Sequence, residues 1–168
     1  AFVSICRHLH IKGLPVPDIY AVSDDLRHYL QEDLGDIQLY SLMAECREKG
    51  CYDDTSLRIL HDTIHLLPDF QFKEGMDFTV CYPVESFNRR SILWDLNYFK
   101  YCFLKISGID FHEDRLEDDF EHLADILLKD APYNTFMYRD FQSRNIMIQD
   151  GAPRFIDFQG GRRGPVEY

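Results

Sequence analysis

An α+β fold that is mostly helical in its C-terminal part is what three features of this 168-residue chain predict. Two aromatic and β-branched stretches near the start read as a strand pair, several later segments repeat apolar residues at helical spacing, and a short hairpin forms around Asp150-Gly151 near the end. Hydrophobic residues make up 45% of the chain and aromatic residues 14%, enough for a sizeable core and against disorder. One compact domain is the expectation.

The elements follow in order. Residues 1–12 place Phe2, Ile5, Cys6 and Leu9 at helical spacing, and Gly13, Pro15 and Pro17 mark the stop. DIYAVS at 18–23 and RHYLQEDL at 27–34 form the antiparallel strand pair, joined by the polar turn Asp24-Asp25. Helices are then predicted over 36–49 and 53–67. The second has Asp53, Asp54 or Thr55 as N-cap, Leu57, Leu60, Ile64 and Leu67 on its apolar face, and Pro68 as terminator. An irregular stretch over 69–88 precedes a helix carrying Ile92, Leu96, Phe99 and Phe103, and another carrying Leu116, Phe120, Leu123 and Leu127. In NIMIQDGAPRFIDF, Asp150-Gly151 tolerates the positive φ of a tight hairpin turn.

Lys and Arg number 18 against 29 Asp and Glu, a formal net charge of −11. A negative surface repels nucleic-acid phosphates and anionic lipid headgroups, so neither is expected as a partner. The start, AFVSICRHLHIKG, breaks its apolar run too early for a signal peptide, and no window approaches a membrane span, so a cytoplasmic protein is expected. Cys6, Cys46, Cys51, Cys81 and Cys102 form no C-x-x-C pair and read as small buried hydrophobes. The absence of a starting Met suggests a piece of a longer protein.

The chemistry concentrates in YRDFQSRNIMIQDGAPRFIDFQGG, residues 138–161. Asp140 and Asn145 bracket a loop before the hairpin and Asp157 ends its second strand, so the turn folds three polar groups towards one point. Their hard oxygens suit Mg²⁺, which binds through one or two carboxylates while keeping waters and substrate phosphates as further ligands. The remaining carboxylate is placed to orient a hydroxyl nucleophile.

The phrase Asp140-x-x-x-x-Asn145, followed by Asp157 after a hairpin, resembles the catalytic loop and metal-binding Asp of protein-kinase-like phosphotransferases. YRDFQSRN, IDFQGGRRGP and YLQEDLGD are closer still to the aminoglycoside phosphotransferase and choline kinase branch, in particular its bacterial sugar-kinase-like members. The resemblance covers essentially the whole chain. It implies a protein-kinase-like fold with residues 1–34 as part of the N-lobe and 35–168 as the helical C-lobe. It implies Asp140 as the base or orienting group, Asn145 and Asp157 as Mg²⁺ ligands, and Gln31, Glu32 and Asp33 as the hinge whose backbone meets the adenine of ATP.

There are departures. Tyr138 stands where the family usually has His, a position that braces the loop. Asp157-Phe158-Gln159 lacks the Gly of the protein-kinase triplet, which points to the small-molecule branch. No Gly-rich loop, strand Lys or helix Glu precedes the first strand pair, so half of the active site is expected before Ala1, and GPVEY at the end resembles the start of a further helical stretch.

Other patterns carry less. His61-Asp62-Thr63-Ile64-His65 has two imidazoles one turn apart, but the Glu of a zinc-protease helix is Asp62 and no third ligand is evident. The run Glu113, Asp114, Glu117, Asp118, Asp119 and Glu121 reads as a solvated face. Asp95, beside Trp94, is a candidate for the acceptor pocket because the corresponding helix lines that cleft in relatives. The leading reading is an ATP- and Mg²⁺-dependent kinase acting on a hydroxyl of a small molecule, a sugar or amino sugar. The alternative is a non-catalytic kinase-like binding or regulatory module. Neither the acceptor nor the oligomeric state is legible.

Overall fold

The computed structural model describes residues 1–72, 75–129 and 133–167, leaving out Lys73, Glu74, Asp130–Pro132 and Tyr168, the last residue of the GPVEY phrase. Helix α1 spans Phe2–Ile11, followed by strands β1 (Ile19–Val22) and β2 (Tyr29–Gln31). Helices α2 (Leu39–Lys49), α3 (Asp54–Phe72), α4 (Arg89–Phe99) and α5 (Glu113–Leu128) come next, and α4 runs on into a π-helical turn at Lys100–Leu104. The C-terminal part holds β3 (Phe136–Met137), β4 (Ile146–Gln149), β5 (Ala152–Phe155) and β6 (Arg162–Arg163). Among the described residues, no helix is long and apolar enough to cross a membrane.

Among the described residues the strands form three antiparallel pairs: β1 with β2, β4 with β5, and β3 with β6. The last pair, Phe136 opposite Arg163 and Met137 opposite Arg162, lies outside the predicted strands, since two residues leave no period to read. It folds the segment after the hairpin back onto the strand before Tyr138. The β4–β5 turn has Asp150 at φ 51° and Gly151 at φ 72°, as Asp-Gly requires.

Pro68 does not end its helix. It sits inside α3, which continues to Phe72. An internal proline costs about 3 kcal/mol, and what offsets it is Phe70, fully buried edge-on to Tyr138 at 5.3 Å between centroids and tilted against Phe155 at 4.8 Å. The face of α3 also differs from expectation. Leu57 and Ile64 are 52% and 63% exposed, while Ser56, Ile59, Thr63 and Phe70 are buried. Ser56 tolerates burial because its hydroxyl donates to Asp53 Oδ1 (2.7 Å) and accepts from Cys46 Sγ (3.2 Å). Asp53 also accepts from Ser56 N (2.8 Å), which makes it the cap of this helix.

Two further expectations change. Phe99 and Phe103 are exposed, because the π-helical turn rotates the face and buries Lys100 instead, at 3% exposure. The acidic run is a solvated face that also forms ion pairs: Lys100 bonds to Glu117 and pairs with Glu113 (3.6 Å), and Arg89 reaches Glu121 (2.6 Å) and Asp125, while Asp114, Asp118 and Asp119 are exposed. Cys51 and Cys102 are exposed, leaving Cys6, Cys46 and Cys81 as the buried hydrophobes.

The main core joins Ile5 and Leu9 of α1, Met43 of α2, Phe70 of α3 and Phe155 of β5, together with Tyr138 and Phe158 from the loops. The segment 138–161 is thus built into the core. A smaller cluster of Phe87, Ile92, Ala124 and Met137 carries α4 and α5.

Candidate active site

The loop after β3 is held by its own backbone. Asp140 N donates to Tyr138 O (3.1 Å), Gln142 N to Asp140 O (2.9 Å) and Asn145 N to Gln142 O (2.8 Å). Arg139 takes a left-handed φ of 70°, a conformation uncommon for a residue with a Cβ. That turn keeps Tyr138 inward and Asp140 outward. The Tyr138 hydroxyl donates to Ile156 O at 2.7 Å, so the expected bracing role of this position is carried by a phenol.

Asn145 connects the two aspartates. Its Nδ2 donates to Asp140 O (3.1 Å) and to Asp157 Oδ2 (3.0 Å), while Ile156 N donates to Asn145 O (3.0 Å). Asp157 also sits at a left-handed φ of 64°, turning the chain so that Phe158 enters the core. There Phe158 stacks on Phe2 at 5.3 Å, and Phe2 stacks on Tyr29 at 5.0 Å. A column of three rings therefore links β2, α1 and the segment carrying Asp157.

The structure brings Asp140, Asn145 and Asp157 together as the spacing predicted. It also supplies residues that the spacing did not reveal. Gln159 Nε2 bonds to Asp157 Oδ1, and Gly160 packs so closely that a Cβ there would lie 3.1 Å from Asp140 Oδ2. The glycines of Phe158-Gln159-Gly160-Gly161 were the available signal: the chain passes there where side chains do not fit.

Asp140 is exposed as a residue, yet partial burial of its carboxyl, followed by the charge of Asp157, raises its pKa above the ordinary aspartate value. The Arg139 guanidinium opposes that shift. Arg139 itself pairs with Asp95 Oδ2 at 2.6 Å, and Arg144 stacks over the Tyr40 ring at 3.9 Å, which engages it away from the aspartates. Asp95, Arg139, Arg162, Arg90 and Trp94 line a cavity of about 300 Å³ beside the loop.

The donor set suits a hard cation. Asp157 accepts one hydrogen bond at each oxygen, which leaves lone pairs on both, and the donation from Asn145 Nδ2 leaves Oδ1 for a metal. Among the described residues no group of three or more His, Cys, Asp or Glu is disposed to hold an ion. His61 and His65 stack on each other, ring centroids 3.9 Å apart.

At the predicted hinge, Gln31 pairs with Ile19 and Glu32 N donates to Asp18 O (2.8 Å). The Glu32 carboxylate pairs with Arg154 of β5 at 2.6 Å and accepts from Asp18 N (3.2 Å). Asp33 Oδ1 accepts from Gly35 N (2.9 Å), and its carbonyl accepts from Gln149 Nε2 (3.3 Å). The Glu32 side chain and the Asp33 carbonyl thus tie the predicted hinge to the hairpin, while the Asp33 side chain closes a turn on Gly35.

A family model described as "Phosphotransferase enzyme family" matches residues 1–168. An N-acetylmuramate/N-acetylglucosamine kinase from Neisseria meningitidis serogroup B is 25% identical over 175 residues, which cover 99% of this chain and 49% of that protein. Two solved structures are similar with a TM-score of 0.54 and 16% identity: APH(2″)-IIa in a ternary complex with streptomycin and ATP, and the aminoglycoside phosphotransferase APH(2″)-Ib with ADP bound. They cover 97% and 98% of this chain, and the chain covers 55% of each. This likeness shows the α+β, protein-kinase-like fold. The chain spans about half the length of these relatives.

Proposed function

The chain belongs to the phosphotransferase enzyme family, and from that premise we propose that the protein containing it transfers the γ-phosphoryl group of ATP to a hydroxyl of a small molecule, a sugar or amino sugar. The observation that carries this reading is the Asn145 amide, bonded at 3.1 Å to the Asp140 backbone and at 3.0 Å to the Asp157 carboxylate. One side chain sets the base and the metal ligand in register.

In phosphoryl transfer the protein mainly aligns the attacking oxygen and neutralises charge. Asp140 orients the acceptor hydroxyl and takes its proton as the oxygen bonds to the γ-phosphorus and the bond to the leaving ADP oxygen breaks. Its raised pKa makes it a stronger base than an ordinary aspartate. Asn145 and Asp157 would hold Mg²⁺, which when bound neutralises charge on the nucleotide phosphates. The backbone of Gln31, Glu32 and Asp33 meets adenine, with residues 1–34 belonging to the nucleotide lobe and 35–168 to the acceptor lobe. The sugar class draws its support from the Neisseria relative, an N-acetylmuramate/N-acetylglucosamine kinase.

ATP consumption by the full-length protein across sugars, amino sugars, choline and aminoglycosides tests this. Turnover with a sugar, lost in Asp140→Asn while nucleotide still binds, is expected. Undiminished turnover in that variant overturns the assignment of the base.

A further inference from the structure

We propose that Gln159 is a positioning residue of the metal site, its side-chain amide fixing the Asp157 carboxylate in the orientation that Mg²⁺ requires. This rests on the phosphotransferase reading above and adds a residue to the machinery of the same site.

Asp157 is clamped from two sides. Gln159 Nε2 bonds to its Oδ1, and Asn145 Nδ2 donates to its Oδ2 at 3.0 Å. Both donors are neutral amides, so they orient the carboxylate without cancelling the charge that attracts a cation. Each oxygen keeps a lone pair for the metal. Hydrogen bonds to an ionised carboxylate are roughly twice as strong as neutral ones, which makes the clamp firm. With Gln159 removed, only the Asn145 bond of the two would remain, and one tether does not fix the plane of a carboxylate.

The backbone gives Gln159 a fixed base. It is the middle residue of the 3₁₀ turn Phe158–Gly160, closed by Gly161 N donating to Phe158 O at 2.9 Å. Phe158 is fully buried on one side of it, and Gly161 lies against the Phe136 ring on the other. From that anchor the half-buried Gln159 side chain reaches back two residues to Asp157. The site leans on this support because its carboxylates are few. Among the described residues no group of three or more His, Cys, Asp or Glu is disposed to hold an ion, so the metal would rest on Asp157 and the Asn145 amide oxygen. Partners that orient a metal ligand typically change metal affinity or activity by about 10–100-fold when mutated. Gln159 also stands where the protein-kinase triplet has Gly, a residue with no side chain to make such a bond.

The test uses the full-length protein, a nonhydrolysable ATP analogue and Mg²⁺. Calorimetry measures how strongly Mg²⁺ tightens binding of the analogue, and a coupled assay gives the half-saturating Mg²⁺ for turnover at saturating ATP. Gln159→Met keeps the length of the side chain and removes the donor. It should lose about 10–100-fold of the tightening and raise the half-saturating Mg²⁺ by a similar factor. Binding of the analogue without Mg²⁺ should stay as in wild type, which separates a loosened metal ligand from a misfolded site. In an Asp157→Asn background, Gln159→Met should add no further loss, since the residue acts through that carboxylate. An unchanged Mg²⁺ response in Gln159→Met overturns the proposal. So does an equal loss of binding with and without Mg²⁺, the mark of a purely structural role, or a further loss in the Asp157→Asn background. Gln159-dependent tightening by Mg²⁺ in a protein that phosphorylates no acceptor would sink the phosphotransferase reading and leave this one standing. Turnover whose Mg²⁺ requirement ignores Gln159 would do the reverse.

Discussion

The Tyr138 hydroxyl donates to the Ile156 carbonyl at 2.7 Å, joining the start of the loop that carries Asp140 to the residue before Asp157. The phenol is buried, and burial raises its pKa, so it acts as a neutral donor at every physiological pH. Tyr138→Phe keeps the ring contacts and strands the carbonyl, which should cost about 1–2 kcal/mol. A lower thermal midpoint with weakened turnover is expected, and an unchanged midpoint would show that the bond contributes nothing.

Asp140→Asn separates stability from activity. The folded-state pKa of Asp140 is raised, so the stability it contributes is fully present below the unfolded pKa and is lost as pH rises through the folded pKa. The amide has no charge to desolvate. The gain in thermal midpoint over wild type should therefore grow from acidic to neutral pH, while phosphoryl transfer falls by about 10²–10⁴-fold. Denaturation scans across pH check the first part, and a gain that is flat with pH contradicts it.

Asp157→Asn removes the carboxylate that accepts from Asn145 and Gln159 and raises the Asp140 pKa. Mg²⁺ should then cease to strengthen nucleotide binding in the full-length protein, and the Asp140 carboxyl, followed by NMR, should titrate at lower pH than in wild type. Retained Mg²⁺ dependence would remove Asp157 from the metal site.

Two neighbouring glycines should fail differently when given a methyl group. At Gly161 a Cβ would lie 2.2 Å from Phe136 Cζ inside the core, so Gly161→Ala should cost about 1–3 kcal/mol or more in stability. At Gly160 the contact is 3.1 Å to Asp140 Oδ2, a side-chain end that can give way. Gly160→Ala should leave the midpoint nearly intact and cut kcat by about 10²-fold through displacement of the carboxylate. Equal stability losses in the two variants would refute the distinction.

The Glu32–Arg154 pair, 2.6 Å apart and mostly buried, links the predicted hinge to the hairpin. Glu32→Gln or Arg154→Leu alone should each cost about 2–3 kcal/mol, less than a fully buried pair because both side chains keep some solvent contact. The double variant should cost less than the sum. Strict additivity in that cycle would mean that the ion pair is not coupled.

Some of this was legible from local chemistry. Asp150-Gly151 announced the hairpin because few dipeptides accept two successive positive φ values, and the Asp140, Asn145 and Asp157 spacing is local enough that one loop and one turn bring the groups together. The errors have tertiary causes. Pro68 reads as a helix terminator by its own geometry, yet the burial of Phe70 two residues later outweighs that preference. The apolar stripe of Leu57 and Ile64 faces outward because Ser56 finds partners in Asp53 and Cys46 on the inner face.

By itself the sequence determined the α+β class, the order of its helices, the hairpin and the convergence of Asp140, Asn145 and Asp157, since each depends on periodicity or on short-range stereochemistry; the phosphotransferase roles of those three residues came from the resemblance alone. Only the tertiary structure decided the surroundings of that motif. The pairing of β3 with β6 carries Arg162 into the cavity and Gly160 against Asp140, and the packing of α4 sets Asp95 on Arg139. These contacts join residues from distant parts of the chain, and their energies depend on burial and on which charges share a cavity, quantities that no local pattern encodes.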